Sequence, residues 1–451
     1  MTDRYIDNNM VAGVPVGIQT TTALCSINSG TPTIVTSSGG TPFSTVIAGD
    51  PFWIDGASTS LVGVYLVVSV GGGGVSVTLD RNAVSGTSAS HVTCYHTPKA
   101  GTIGSPYPTL QYAVDHAVDA DTIYIKANSG YTFDNLDQPE KSTIGSDYCL
   151  NIASFKGVIG DGTLARIIGY TATITDGGLV TLDANDQDVN CVHITQANCY
   201  IKKIKAGNTD EAGGSNAWII DGSGADGIIF DSCEGYNARI GYYTDGTTSA
   251  KKITLLNCKA YDNSLRGFTA NENIETTVII GGAYYNNNTA DVSYGNGLQV
   301  EGFTFMRGVL VYGNGSTNGD GLTVESGHTI LDGCIIDDNG AYGVRVFRDD
   351  GICHIINSII SNHTTLNLSR DGAADGTLLM EYSCSYNSGG TDEHYDLGNN
   401  ITSDPDYDSD YTPRNSNIIF GGKPDVNDNP TPMGAILKRN LPTAGFGGGF
   451  G

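Results

Sequence analysis

Basic residues are scarce in this chain: 23 Lys and Arg stand against 48 Asp and Glu, a net charge of −25. A surface that acidic repels phosphate backbones and anionic headgroups, which excludes nucleic acid and membrane as non-specific partners. Long apolar runs are missing too. The longest, residues 61–70 (LVGVYLVVSV), is about half of what a bilayer-spanning helix needs. The first residues, MTDRYIDNNM, hold no basic stretch leading into an apolar one, so no Sec signal is expected and the cysteines are expected to be thiols. No two cysteines are spaced CxxC, which leaves a zinc site without support. His91, His96, His116, His193, His354, His363 and His394 show neither metal spacing nor a Ser or Cys partner in register. Residues 71–74 are glycines without the Lys-Ser/Thr of a phosphate loop. Neither metal nor cofactor is therefore expected. Helical periodicity is also lacking from about residue 125 to 400.

What is present favours turns and strands: 61 Gly, with abundant Asn, Thr, Ser and Asp. Residues 1–98 read as short strands with Gly/Ser/Thr turns, the clearest being a hairpin from 61–70 through the glycines to 75–79. They share no repeat with the rest of the chain and are expected to form a small β-rich domain. Next, Leu110, Ala113, Val114, Ala117 and Val118 fall at helical spacing behind Thr109, a suitable N-cap, and a strand begins at Thr122. A short helix feeding a strand suits the end of a solenoid, whose terminal coil would otherwise expose its core.

Internal repetition carries the fold. Segments ending at Asn237, Asn263, Asn287, Asn314, Asn339, Asn362 and Asn387 recur at spacings of 23 to 27 residues. A second anchor keeps step: Gly241, Gly267, Gly297, Gly321 and Gly343 each open a run of alternating residues. Two short strands per repeat, separated by Asn and Gly, describe coils stacked in parallel about 4.8 Å apart. Phe268 and Ala270, Leu298 and Val300, Leu322 and Val324, and Val344 and Val346 then point inward. The asparagines can adopt left-handed geometry and bond to their copies in a ladder. Cys233, Cys258, Cys334 and Cys384 share one register and are expected as packed interior thiols.

These residues resemble the right-handed parallel β-helix proteins of the pectate-lyase-like superfamily. The opening segment, GTIGSPYPTLQYAVDHAVDADTIYIKANSGYTF, is similar to that family's first-coil cap, and DPDYDSDYTPRNSNIIFGGKPDVNDNPTPMGAI to its closing segment. The resemblance spans roughly residues 101 to 436. It implies an all-β, single-stranded right-handed parallel β-helix over 99–436 with its N-terminal cap helix. A Gly-rich tail, 437–451, is expected to order only against a neighbour. The fold hosts lyases, hydrolases, epimerases, phage tailspikes and inert structural proteins, so function must come from residues.

The enzyme motifs of these relatives are incomplete here. Asn208-Thr209-Asp210 and Asp349-Asp350 resemble polygalacturonase motifs but lie over five coils apart at this period, where that family places them on neighbouring coils. Trp218-Ile219-Ile220-Asp221 resembles a pectate lyase motif whose next residue is His, whereas Gly222 stands here. The candidates that the register itself supplies lie on one outward face. Asp245, Asn271, Glu301, Glu325 and Phe347 follow the strand glycines by four residues, with Tyr243, Gln299, Thr323 and Arg345 beside them. Glu301 and Glu325 belong on adjacent coils about 5 Å apart, near the carboxylate separation of retaining glycosidases. The face is a candidate saccharide-binding strip. The composition favours the plainer reading, a solvated acidic surface on which Glu301 and Glu325 are not catalytic.

A chain of this plan, with a small β-domain before a β-helix and a flexible tail after it, is expected to be a virion structural protein: a capsid decoration, head-fibre or tailspike-like component. Its expected partners are other virion proteins, through residues 1–98 and the tail, and host-surface polysaccharide, with a homo-oligomer allowed. The alternatives are an extracellular polysaccharide lyase or glycoside hydrolase, phage depolymerases included, and a cell-surface adhesin.

Overall fold

Among the described residues, most coils contribute three strands, one to each of three parallel sheets, and these strands bond to their copies in the neighbouring coils. The computed structural model describes residues 176–370 apart from 211–213, 223, 245–251 and 272, and residues 376–419, 421–424 and 432–434. Before these it describes 121–127, 148–153, 157, 164–171 and, among the first 120 residues, the strands given below with a few residues beside them. The tail 437–451 lies outside the described residues. So does most of the expected cap helix, of which Ala113 and Val114 are described, helical and buried. The chain divides into two compact units, residues 1–253 and 254–451.

In the first unit, sheet I comprises Asp3–Ile6, Thr122–Lys126, Ala165–Tyr170, Cys199–Lys202 and Ile228–Asp231. Sheet II holds Val180–Gln187, Ile204–Thr209 and Glu234–Tyr236; sheet III holds Tyr148–Ile152, Asn190–Ile194, Trp218–Ile220 and Ile240–Thr244. The strand nearest the N-terminus thus joins the solenoid, Asp3–Ile6 pairing parallel with Thr122–Lys126. Six other strands, Gln19–Asn28, Ile34–Ser37, Pro51–Asp55, Gly63–Gly71, Ser76–Leu79 and Ser90–His96, close an antiparallel barrel. Val35, Val67, Val77 and Leu79 are buried in it. Inside the coils Trp218 packs edge-on against Phe230 at 5.1 Å and stacks with Tyr242 at 6.0 Å.

In the second unit, sheet I runs through Thr276–Ile280, Phe303–Arg307, His328–Asp332, Ile352–Ile356, Thr377–Glu381 and Tyr395–Asp396. Sheet II has Lys259–Tyr261, Ala283–Tyr285, Leu310–Tyr312, Ile335–Asp337, Ile359–Ser361 and Cys384–Tyr386. Sheet III has Arg266–Thr269, Asn296–Val300, Asp320–Val324, Tyr342–Val346 and Leu366–Arg370. Two-residue turns lead from sheet I to sheet II, and the first of those residues takes positive φ: Asn257, Gly281, Gly308, Gly333, Asn357 and Tyr382.

Between sheets II and III the two sequence anchors prove to be one structural device. Asn263, Asn287, Asn314 and Asn339 are buried. Each of the first three donates its side-chain amide to the side-chain oxygen of the next, at 2.7, 2.9 and 2.8 Å. A Cβ on Gly267, Gly297 or Gly321 would come within 2.8, 2.7 and 2.8 Å of Asn287, Asn314 and Asn339 Nδ2 respectively. Glycine recurs at this strand position because the amide of the following coil occupies the space a side chain would need. Gly321→Ala is therefore expected to destabilise the chain by about 2 kcal/mol by overpacking against Ile336 and Asn339, read as a lowered thermal midpoint.

Two expectations need correction. The aligned asparagines merge two registers one residue apart. Asn237, Asn362 and Asn387 occupy the left-handed position, with φ of 45°, 63° and 54°, which Asn286 and Asp338 fill in other coils. Only the residue after it enters the interior. Asn362 and Asn387 continue an outer ladder from Asp337, Asn362 Nδ2 donating to Asp337 Oδ1 and Asn387 Nδ2 to Asn362 Oδ1, both at 2.8 Å. Likewise Cys233, Cys258 and Cys334 are interior thiols, but Cys384 is displaced by one position. It pairs with Ile359, so Ser383 holds the place that Cys334 and Ser358 hold in earlier coils. Alternation along the strand then turns Cys384 outward, into the column Leu310–Ile335–Ile359–Cys384. Ile418, Met433, Tyr407 and Tyr411 of the C-terminal segment fold over that column and bury it.

Candidate functional site

The outer face of sheet III carries the site, because this sheet pairs in the register that the glycines predict. Gln299 aligns with Thr269 and Thr323, Thr323 with Arg345, and Arg345 with Ser369. The inward neighbours Leu298, Val300, Leu322, Val324, Val344 and Val346 are fully buried, which directs the residues between them outward. The structure thus brings Gln299, Thr323 and Arg345 into one column, with Glu301, Glu325 and Phe347 two residues further along their strands. Asn271, half-buried, stands two residues past Thr269. Tyr243 lies on the outer side of sheet III in the first unit, and Asp245 falls outside the described residues.

The face is not the solvated surface that composition alone suggests. Glu301 is 7% exposed, Thr323 3% and Gln299 9%. Glu325 keeps 14% of its side chain exposed and forms an ion pair with Arg348 at 3.4 Å. Arg345 lies between two aromatic rings, its guanidinium 5.0 Å from the centroid of Tyr342 and 4.9 Å from that of Phe347. Rings on either side fix the long side chain and shield its charge from water.

Sequence reasoning missed Asp320 and Tyr342. They sit just before the strand glycines, and their contacts with Thr323 and Arg345 place them on the outer face too. Asp320 aligns with Asn296, likewise buried. Its carboxylate accepts a hydrogen bond from Thr323 Oγ1 at 2.9 Å and pairs with Arg345 at 3.7 Å. Burial pushes its pKa up to about 6, against the opposing pull of the Thr323 hydroxyl and Arg345. The available signal was the polarity of this pre-glycine position: Arg266, Asn296, Asp320 and Tyr342.

The result is a strip of closely packed, nearly buried hydrogen-bonding groups, with one cation beside two aromatic rings. No group of three His, Cys, Asp or Glu side chains placed to hold a metal occurs among the described residues.

No protein-family profile matches the chain, and no curated protein matches it by sequence. Among solved structures it is similar to the pectate lyase Pel9A, with a TM-score of 0.54 at 14% identity over 75% of this chain and 92% of that one. It also matches the Azotobacter vinelandii mannuronan C-5 epimerase AlgE4 A-module, with a TM-score of 0.43 at 17% identity over 62% and 82% of the two chains. A third match is the tailspike protein gp49 from Pseudomonas phage LKA1, with a TM-score of 0.20 at 13% identity over 77% and 65%. At these identities the likeness to Pel9A shows a shared parallel β-helix fold, and the two lower scores add nothing to that.

Proposed function

We propose that the chain is a structural protein of a virion whose β-helix binds a surface polysaccharide along sheet III without cleaving it. The strip of hydrogen-bonding groups on the outer face of sheet III carries this reading. Sugars are recognised by dense hydrogen-bonding groups held rigidly beside apolar edges, and Gln299, Glu301, Asp320, Thr323 and Arg345 are held that way by strand register and burial. The antiparallel barrel formed within residues 19–96 supports an attachment role for residues 1–98.

Binding is favoured over hydrolysis by the placement of the carboxylates. A glycosidase needs two carboxyl groups flanking the scissile bond. Glu301 and Glu325 directly follow adjacent strands of one sheet, on the same side of any chain laid along it, and Glu325 already faces Arg348. The likeness to a pectate lyase supports the alternative of cleavage.

Two measurements decide. Affinity electrophoresis against a panel of polysaccharides should show retardation of the wild type, and Arg345→Ala should weaken that binding at least about tenfold, or 1.4 kcal/mol. Reducing-end and unsaturated-product assays on the same mixtures should show no turnover. Turnover lost on Glu301→Gln or Glu325→Gln would overturn the binding reading, and absence of the protein from purified particles by mass spectrometry would overturn the virion assignment.

A further inference from the structure

Sheet I of the second unit turns outward a face that the repeat pattern did not mark. Thr277, Met306, Leu331, Cys353 and Leu378 are fully buried in the interior, which directs the residues beside them outward. The middle outward column then reads Val278, Phe305, Ile330, His354, Leu379 and Tyr395. A sheet wetted on one side alternates apolar with polar residues, whereas strands apolar on both sides belong to a sheet covered on both. On this face Phe303, Ile352 and Tyr395 are 41%, 38% and 54% exposed. With Leu397, directly after the last strand, they make four of the eight large apolar side chains exposed among the described residues. Apolar surface concentrated in this way marks a protein contact.

Charge decides which protein. The five strands from Thr276 to Glu381 carry only Arg307, Asp332 and Glu381 besides histidine. Arg307 pairs with Asp332 at 2.9 Å, and Glu381 with Lys423 at 3.2 Å, so the charges here cancel. A cationic partner would be drawn to the rest of a chain of net charge −25 before this face. Two copies repel each other elsewhere, but here they meet without like-charge cost. We propose that this face is the contact between two copies of the chain, packed sheet on sheet about a two-fold axis. With the axis along the strands, between His328–Asp332 and Ile352–Ile356, each copy's second strand lies over the other's fifth. Phe305 then meets Leu379 of the partner subunit, and Arg307 meets Glu381 of the partner subunit. An axis along the coils instead sets Arg307 over Phe303 and Glu381 over Thr377, with no opposite charge across the interface. Six strands at about 4.8 Å and five residues at about 3.3 Å give a footprint of about 24 by 16 Å. That suits a small, reversible dimer rather than an obligate one. The contact shares no residue with the sheet III strip and does not rest on polysaccharide binding.

The test is sedimentation equilibrium of the full chain from about 1 to 100 μM. The wild type is expected to rise from one chain mass to two. Phe305→Asp and Ile352→Lys should each weaken association at least about tenfold, while Tyr294→Asp, at an exposed apolar residue off this face, should leave it unchanged. Should Phe305→Asp fail to fold, Ile352→Lys, at a more exposed position, gives the same comparison. Arg307→Glu and Glu381→Arg should each weaken the dimer, and the two together should restore it to within about threefold. A single chain mass at every concentration would overturn the proposal, as would a dimer indifferent to Phe305→Asp and Ile352→Lys. Three chain masses, or a double reversal no better than either single one, would overturn the two-fold arrangement. None of these results touches the polysaccharide reading.

Discussion

Replacing Asn314 with alanine is expected to destabilise the protein by about 4 kcal/mol, because this one side chain is fully buried and serves both neighbouring coils. Its Oδ1 accepts from the backbone N–H and the amide of Asn287, both at 2.9 Å, and its Nδ2 donates to Asn339 Oδ1 at 2.8 Å and to the Tyr284 carbonyl at 3.1 Å. Alanine leaves the Asn287 N–H unanswered, at about 1–3 kcal/mol for a buried orphan, takes from the Tyr284 carbonyl a donor beyond its strand pairing, and opens a cavity besides. Urea unfolding followed by circular dichroism measures the loss. Asn387→Gly is the control: it removes a rung of the exposed outer ladder at a residue with φ of 54°, a conformation glycine adopts freely. It should change stability by no more than about 0.5 kcal/mol. Equal losses in the two variants would mean that burial of the inner ladder adds nothing.

Acidification from pH 6.5 to 4 is expected to remove about 3 kcal/mol through His363 alone. This residue takes the asparagine's place in the coil after Asn339. Its Nδ1 accepts from the Asn339 backbone N–H at 3.1 Å, and Nε2 lies 3.2 Å from the Ile336 carbonyl, so the ring is neutral with its proton on Nε2. Burial lowers its pKa from 6.5 to about 4. As pH falls below 6.5 the unfolded chain takes up a proton that the folded chain refuses until about pH 4. Stability is full above 6.5 and declines across that interval, at 1.36 kcal/mol for each unit of separation. His363→Asn, which restores the residue type used by the preceding coils, should flatten the dependence of the urea midpoint on pH in this window. An unchanged slope in that variant would assign the acid sensitivity to other groups.

The coil architecture was legible because solenoid strands repeat with little variation. Each coil must present apolar residues at the same places, so Leu298, Leu322 and Val344 announce one column before any coordinates are known. The outward column Gln299–Thr323–Arg345 follows from the same register. What blurred was single-residue phase. Asn237 and Asn263 look equivalent in the repeat, yet one occupies the left-handed turn position and the other the interior, and neighbouring turn positions both accept asparagine. Cys384 was misplaced for a similar reason: a coil of slightly different length moved it one step and so to the opposite face.

Composition, the 23-to-27-residue period and the placement of Gly and Asn by themselves determined that this protein is a parallel β-helix and which face of one sheet turns outward. Those features are local or periodic, and each coil restates them. Only the tertiary structure decided how nearly buried the residues of that face are, that Asp320 pairs with Arg345 between two rings, that the C-terminal segment covers the outer side of sheet II, and that His193 meets Tyr148 and Asp221. Burial and pairing depend on what adjacent coils and distant segments bring to a position. His193 and Asp221 are brought together because strands a full coil apart in sequence are neighbours in the sheet, and one local stretch of sequence carries no record of what its neighbour presents.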